Sequence, residues 1–188
     1  MLLLYALLIG VVAGLASGGK LAALGTTKVR LWPVALLGLV AQLLLFSPPL
    51  AAVVGPLGPS LYVVSTVLVL MALVLNLRQP GFWLVIIGAL LNFTAIVANG
   101  GQMPASPEAF AALNGTALVP TTEFTNSVLA GPGTQFAFLG DNFVLPRPVP
   151  LANVFSIGDV LIGVGGALFI FQTMHGRVLD RLVRATNG

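Results

Sequence analysis

The chain alternates long apolar stretches with short polar joints, and five stretches approach the length of a membrane-spanning helix. They cover residues 1–17, 32–46, 60–77, 81–98 and 156–174. A spanning helix needs about 20 mostly apolar residues, within a range of about 17–25; the second stretch is somewhat short. Proline and glycine punctuate the joints. Ser47-Pro48-Pro49 is expected to stop the second helix, because proline cannot donate to the helical ladder. Gly55-Pro56-Leu57-Gly58-Pro59 reads as a short uncharged outer loop, and Gln79-Pro80-Gly81 as a tight turn that makes the third and fourth helices an antiparallel hairpin. The predicted fold class is all-α, a single integral membrane domain of five transmembrane helices.

Residues 99–155 interrupt this rhythm. The stretch is far longer than an ordinary connection of about 4–6 residues. Residues 99–159 hold four of the five acidic residues and seven of the thirteen prolines. Within it Ser106-Pro107-Glu108 opens a short helix that Asn114-Gly115 closes: serine as N-cap, proline as first helical residue, glutamate at the positive end. Residues 116–133 read as irregular. Phe136, Phe138, Leu139, Phe143, Val144 and Leu145 form an apolar cluster expected to fold down as a lid over the helix ends. Pro146-Arg147-Pro148-Val149-Pro150 reads as a stiff extended run.

Charge orients the bundle. Short loops rich in lysine and arginine stay cytoplasmic. Lys20, Lys28, Arg30, Arg78, Arg177, Arg181 and Arg184 fall on one side of a five-span chain, and Arg147 on the other. The expected topology is therefore N-out and C-in, with residues 99–155 as an extracytoplasmic loop between helices 4 and 5. Trp32 and Trp83 begin helices at the cytoplasmic interface, and Tyr5 and Tyr62 lie near outer ends, a depth amphipathic rings prefer. The first stretch lacks the basic start of a signal peptide and is read as an anchor. The tail, residues 175–188, alternates arginine with apolar residues and reads as an interfacial amphipathic segment. His175 suits the negative end of the fifth helix.

Composition agrees. The chain is 57% hydrophobic and 7% charged, whereas soluble domains carry about 25% charged residues. The net charge of +3 is spread over helix ends, which argues against nucleic acid as a partner. The absence of cysteine excludes a thiol nucleophile, an iron–sulfur cluster and a cysteine zinc site, and a single histidine excludes a multi-histidine metal centre. No cofactor, metal ligand set or catalytic residue is expected.

Small residues mark helix contacts. Gly10-x-x-x-Gly14, with Ala6, Ala13 and Ser17, gives the first helix a smooth face; Gly163-x-x-x-Ala167, with Gly165 and Gly166, gives the fifth another. Such faces pack against helices of the same chain or of a partner membrane protein. Gln42, Asn92 and Thr94 are polar groups within apolar helices and read as interhelical hydrogen-bonding groups.

Candidate ligand-binding chemistry sits at the outer end. Asp159 is the one acid within a spanning stretch, which makes it a functional candidate. Ser156-Ile157-Gly158-Asp159 also fits a capping box, which would place Asp159 in the first helical turn. Asp141 reads either as a turn aspartate bonding local backbone N–H groups or as a ligand-binding carboxylate. Asn99 and Gln102 complete the candidate ligand-binding set.

The stretches Asn99-Gly100-Gly101-Gln102-Met103-Pro104, Leu139-Gly140-Asp141 and Pro150-Leu151-Ala152-Asn153-Val154-Phe155-Ser156-Ile157-Gly158-Asp159, together with Gly18-Gly19-Lys20, resemble a bacterial family of small polytopic membrane proteins catalogued as domain of unknown function 5317. The resemblance implies a multi-pass protein of the bacterial plasma (inner) membrane and transfers no catalytic residue. The expected function is non-enzymatic: an accessory or binding subunit in the lipid bilayer, whose lid contacts a partner protein, a lipid or a small ligand. The second reading is a carrier or membrane enzyme using Asp159 and Asp141.

Overall fold

The computed structural model describes residues 2–45, 53–115 and 127–176. The protein is mostly helical. Its five long helices are α1 (Leu2–Ala16), α3 (Trp32–Leu45), α4 (Gly58–Val74), α5 (Phe82–Ala98) and α7 (Ile157–Met174), each within a few residues of a predicted stretch. Among the described residues there are also a short α2 (Ala22–Thr26) and the lid helix α6 (Pro107–Asn114). The joint at Gly55–Leu57 is a 3₁₀ turn that runs straight into α4, not the free loop expected, because Pro56 and Pro59 both sit at helix-starting positions. The stop at Ser47-Pro48-Pro49 and the tail beyond Gly176 lie outside the described residues.

The long helices are neighbours in the order α1, α7, α5, α4, α3; α1 and α7 run parallel and the other neighbours antiparallel. The central helix α7 presents glycine on two sides. Toward α1, a Cβ on Gly10 would meet Ala167 O at 2.8 Å, and Gly163 faces Ala6 at 3.0 Å. Toward α5, Gly158 lies against Gly88 and Asn92, and Gly165 against Gly81. The small-residue faces thus pack within this chain, the close approach that lets helices associate without a hydrophobic drive. Gly14 meets Met174, which is 1% exposed, and Lys20 N donates to Met174 O at 2.7 Å. His175 joins the same ends: Nδ1 lies 2.7 Å from Phe171 O and Nε2 3.0 Å from Ser17 Oγ.

Chain direction sorts the two ends of the bundle. One end gathers the close of α1 and α4 and the start of α3, and with them Lys20, Lys28, Arg30 and Arg78. Asn76 binds Arg30 there from both sides, accepting from its N–H and donating to its carbonyl, each at 2.7 Å. The other end carries the lid.

The lid is not all-α, which corrects the expected class. β1 (Met103–Ala105) pairs in parallel with β2 (Ser127–Leu129), within the stretch expected to be irregular, and β3 (Phe143–Leu145) pairs antiparallel with β4 (Asn153–Phe155). The chain returns twice to the same helix ends, and backbone groups brought there satisfy one another as short ladders. The proline run at 146–150 is accordingly a turn, with Val149 N donating to Pro146 O at 2.9 Å, and not an extended rod. Helix α6 forms as read: Ser106 Oγ accepts from Ala109 N at 3.1 Å, and Gly115 closes it at φ 75°.

Only part of the phenylalanine cluster turns inward. Leu139 packs with Ala95, Ile96 and Met103 on the bundle end. Phe138 stays 73% exposed, and Phe143 stacks on Phe155 across the hairpin at 5.6 Å. Leu139 and Met103 seat the lid on the bundle end.

Two helical segments, Gly55–Val74 and Ile157–Met174, are long and apolar enough to cross a membrane; each is only 22% buried, unlike the core helix of a soluble protein. Leu2–Ala16, α3 and Phe82–Ala98 are apolar but shorter.

Candidate functional site

Where the lid meets the bundle, three polar side chains close a ring. Ser156 is the N-cap of α7. Its Oγ accepts from Asp159 N at 3.0 Å, and the Asp159 carboxylate accepts from Ser156 N at 3.0 Å, so the capping box forms. The pair does not stand alone. Asn92 on α5 donates from Nδ2 to the other Asp159 oxygen at 2.8 Å, and its Oδ1 accepts from Ser156 Oγ at 2.8 Å. Ser156 is fully buried. Gly88 and Gly158 make this geometry possible, because a Cβ at Gly158 would occupy the space of the Asn92 amide oxygen. Asp159 is thus both a helix cap and the acceptor of an interhelical bond.

Asn92 and Asp159 of this ring line a cleft of about 370 Å³ bounded by α1, α3, α4, α5, β4 and α7. Its walls are apolar, from Leu2, Leu3, Leu39, Val69, Leu70, Ile96 and Ile162, and its polar groups are Gln42, Tyr62, Thr66, Asn92, Asn153 and Asp159. An apolar pocket with a few convergent polar groups is the usual form of a small-molecule site. A second network supports the α3–α4 wall. Gln42 Nε2 donates to Ser65 Oγ at 3.2 Å and Thr66 Oγ1 at 3.1 Å, and both hydroxyls donate to Tyr62 O at 2.8 Å. Gln42 and Asn92 are therefore interhelical groups, as read. Thr94 is not: its hydroxyl donates to Leu90 O within its own helix.

The four sequence candidates take different places. Asp159 lines the cleft. Asp141 lies just outside the lining but within electrostatic range of Asp159 and Tyr62. Its backbone extends the β1 ladder: Asp141 N donates to Pro104 O at 2.8 Å, and Ser106 N donates to Asp141 O at 3.0 Å. Its carboxylate has no hydrogen-bond partner among the described residues, so it is not the turn aspartate of the first reading. Burial first, and the Asp159 charge second, push its carboxyl up to about 7. The two carboxylates thus come together electrostatically.

Asn99 does not join them. It caps α5, donating to Ala95 O at 2.7 Å, and clamps the lid by donating to Gln135 O at 2.8 Å and accepting from Gln135 N at 3.0 Å. Gln102 is partly buried beside β1 and does not line the cleft.

Tyr62, an expected interface anchor, lines the cleft instead, and Ser156, an expected cap, also donates to Asn92. The Asn-Ser-Asp closure had a signal in sequence: one polar residue inside an apolar helix must find a partner, and Asn92 was such a residue. Which partner depended on the α5–α7 register. Among the described residues no cluster of three or more metal-ligating side chains occurs.

The sequence matches one family. Residues 26–171 match a family of unknown function, DUF5317. A protein of Thermotoga maritima described as uncharacterized is 30% identical over 141 residues, covering 72% of this chain and 80% of its own length. No solved structure matches. On both the family match and this relative, the chain belongs to the DUF5317 family.

Proposed function

We propose that this is a five-span, N-out and C-in protein of the bacterial plasma membrane that acts without catalysis, binding a small amphipathic ligand in the cleft beneath its outer lid. The observation that carries the reading is the cleft itself: apolar walls, with the Asn92–Ser156–Asp159 ring on one side. Membrane placement draws support from surface chemistry. Leu8, Ile9, Val12, Leu37, Met71 and Val74 are each more than half exposed, from 55% to 68%, which water would penalise and lipid would not. Four bases share the end opposite the lid, and Trp32 and Trp83 are exposed at that end, 59% and 53%. A reporter fused after Gly188 is expected to be cytoplasmic and one inserted at Gly115 extracytoplasmic; the reverse labelling would overturn the orientation.

Binding is tested by extracting the protein gently and identifying small molecules that travel with it. Ala89 lines the cleft, so Ala89→Phe is expected to lose any molecule the natural protein retains. An unchanged profile would remove the cleft from consideration.

A second reading is a proton-coupled carrier using Asp159 and Asp141. What favours it is the Asp141 carboxyl near 7, a value suited to taking up and releasing protons. Proton flux into liposomes, lost in Asp141→Asn but not in Ala89→Phe, would favour it over simple binding.

A further inference from the structure

The cleft holds a carboxylate with unused capacity. A carboxylate offers about four acceptor positions. Two at Asp159 are taken, one by Asn92 Nδ2 and one by Ser156 N. Both donors are neutral, so neither brings a positive charge to the carboxylate. Asp141 adds a second carboxylate within electrostatic range. No base balances them among the described residues. Lys20, Lys28, Arg30 and Arg78 sit at the opposite end of the bundle, and Arg147 donates to Leu113 O on the lid. A charge withdrawn from water is normally paired.

The walls specify the rest of the partner. α1 and α3 flank the cleft without packing closely on one another, and both present exposed leucines such as Leu4 and Leu36. The side of the cleft between them is thus bordered by exposed apolar surface. At about 370 Å³ the cleft lies near the lower end of the range for small-molecule sites, about 300–1,000 Å³.

From these features, and resting on the ligand-binding reading above, we infer that the cleft admits one apolar chain bearing an ammonium headgroup, which donates to the free positions of Asp159 while the chain lies along Leu39, Leu70 and Ile162. The ammonium comes from an aminophospholipid headgroup or from a free long-chain amine. It enters between α1 and α3. Tyr62 and Asn153, both lining the cleft, are within the lid-side region where the headgroup lodges.

The test uses the whole protein in phosphatidylcholine nanodiscs and three fluorine-tagged twelve-carbon probes: an amine, an alcohol and a carboxylate. Fluorine NMR separates bound probe from probe dissolved in the bilayer. The amine is expected to bind at least tenfold more tightly than the alcohol, and the carboxylate more weakly than either. In Asp159→Asn the amine should fall to the level of the alcohol while alcohol binding persists, which also reports that this variant is folded. Ala89→Phe, or Ile162→Trp if the first does not fold, should exclude all three. Displacement of the amine by phosphatidylethanolamine assigns the ammonium to a lipid headgroup; no displacement assigns it to a free amphiphile.

Equal binding of the three probes to the natural protein, lost in Ala89→Phe, would overturn the ammonium inference and leave the cleft reading intact. Binding of none would overturn both. The chain's own amino terminus, outside the described residues, is the rival cation. Acetylating it should leave the order amine, alcohol, carboxylate unchanged; an order that appears only after acetylation would overturn the inference.

Discussion

The two sides of the cleft are built by different means. On one side α1, α7 and α5 meet backbone to backbone through Gly10, Gly163, Gly158, Gly88, Gly165 and Gly81. On the other side α3 leans on α4 through Gly38 and the Gln42 network, and the segment before it is tied at the basic end, from Asn76 to Arg30 and from Gln79 to Lys28 O. The first half has no slack, because backbone cannot rotate away from backbone. The second half touches through side chains that can. The Asn92–Ser156–Asp159 ring belongs to the backbone-packed half, whereas the α3 wall is held largely through side chains. Polar groups held on rigid elements keep their geometry.

The division is broken most directly by filling glycines. Gly158→Val drives a side chain into the Asn92 amide and the Gly88 carbonyl. Overpacking of this kind costs about 1–3 kcal/mol and sometimes more, and here it also splits the polar ring. The thermal midpoint in detergent is expected to fall further than for any other change discussed. Gly38→Val meets the Val69 side chain at 2.7 Å and Ser65 O at 3.3 Å. Val69 can turn away, so the loss should be less than half as large. Equal losses would mean that the two halves are equally rigid.

Removing polar groups sharpens the same contrast. Asn92→Leu leaves an interhelical acceptor and the buried Ser156 hydroxyl each short of a partner, a penalty of about 1–3 kcal/mol. Gln42→Leu leaves Ser65 and Thr66 bonded to Tyr62 O, so its cost should approach the average of about 0.6 kcal/mol for hydrogen bonds between membrane helices. Urea or heat titration of both variants gives the ratio. A Gln42 variant as damaged as the Asn92 variant would move the structural centre to α3–α4.

How much of this was legible from residues alone follows from the range of the interactions. Helix α6 was readable to the residue, because Ser106, Pro107 and Gly115 act on their own turn. The capping box at Ser156 and Asp159 was readable for the same reason. The small-residue faces of α1 and α7 were visible, and here they found each other. The short strands were not readable. β1 pairs with a segment more than twenty positions away, and three-residue ladders leave no periodicity to detect. The phenylalanine cluster misled because hydrophobicity says that a ring leaves water without saying for what. Phe138 faces outward, and inside a bilayer interface that is no penalty. The pairing of Asn92 with Asp159 needed the register of α5 on α7, which Gly88 and Gly158 set by contact.

A smaller effect tests the lid against the bundle by pH. The Asp141 carboxyl rises from 3.8 to about 7 in the folded protein. A raised carboxyl means that the folded state holds its proton more tightly than the unfolded chain does. Stability from this group therefore declines as pH climbs from about 4 to about 7, and levels off above. Because Asp141 N–H and C=O carry the β1 contact, the lid should exchange amide hydrogen faster at pH 8 than at pH 5 after correction for intrinsic rates. Asp141→Asn should flatten the difference, while amides in α7 beyond its first turn stay unaffected. A profile unchanged by the substitution would assign the pH response to another group.

The smallest effect isolates the lid helix from everything beneath it. Ser106 caps α6 by accepting from Ala109 N, and its hydroxyl donates to Glu108 Oε2 at 2.8 Å. Glu108 is held below the usual carboxylate range first by its own backbone N–H and then by that hydroxyl. Ser106→Ala removes the cap, at about 1 kcal/mol for a typical N-cap serine. The loss should appear locally, as faster exchange at Ala109 and Phe110, because α6 packs chiefly on the β3–β4 hairpin. Since Ser106 N also donates to Asp141 O, and the substitution keeps that backbone bond, β1 protection should hold. Joint loss of α6 and β1 protection would show that the lid opens as one cooperative unit, and would tie the cap at Ser106 to access over the cleft.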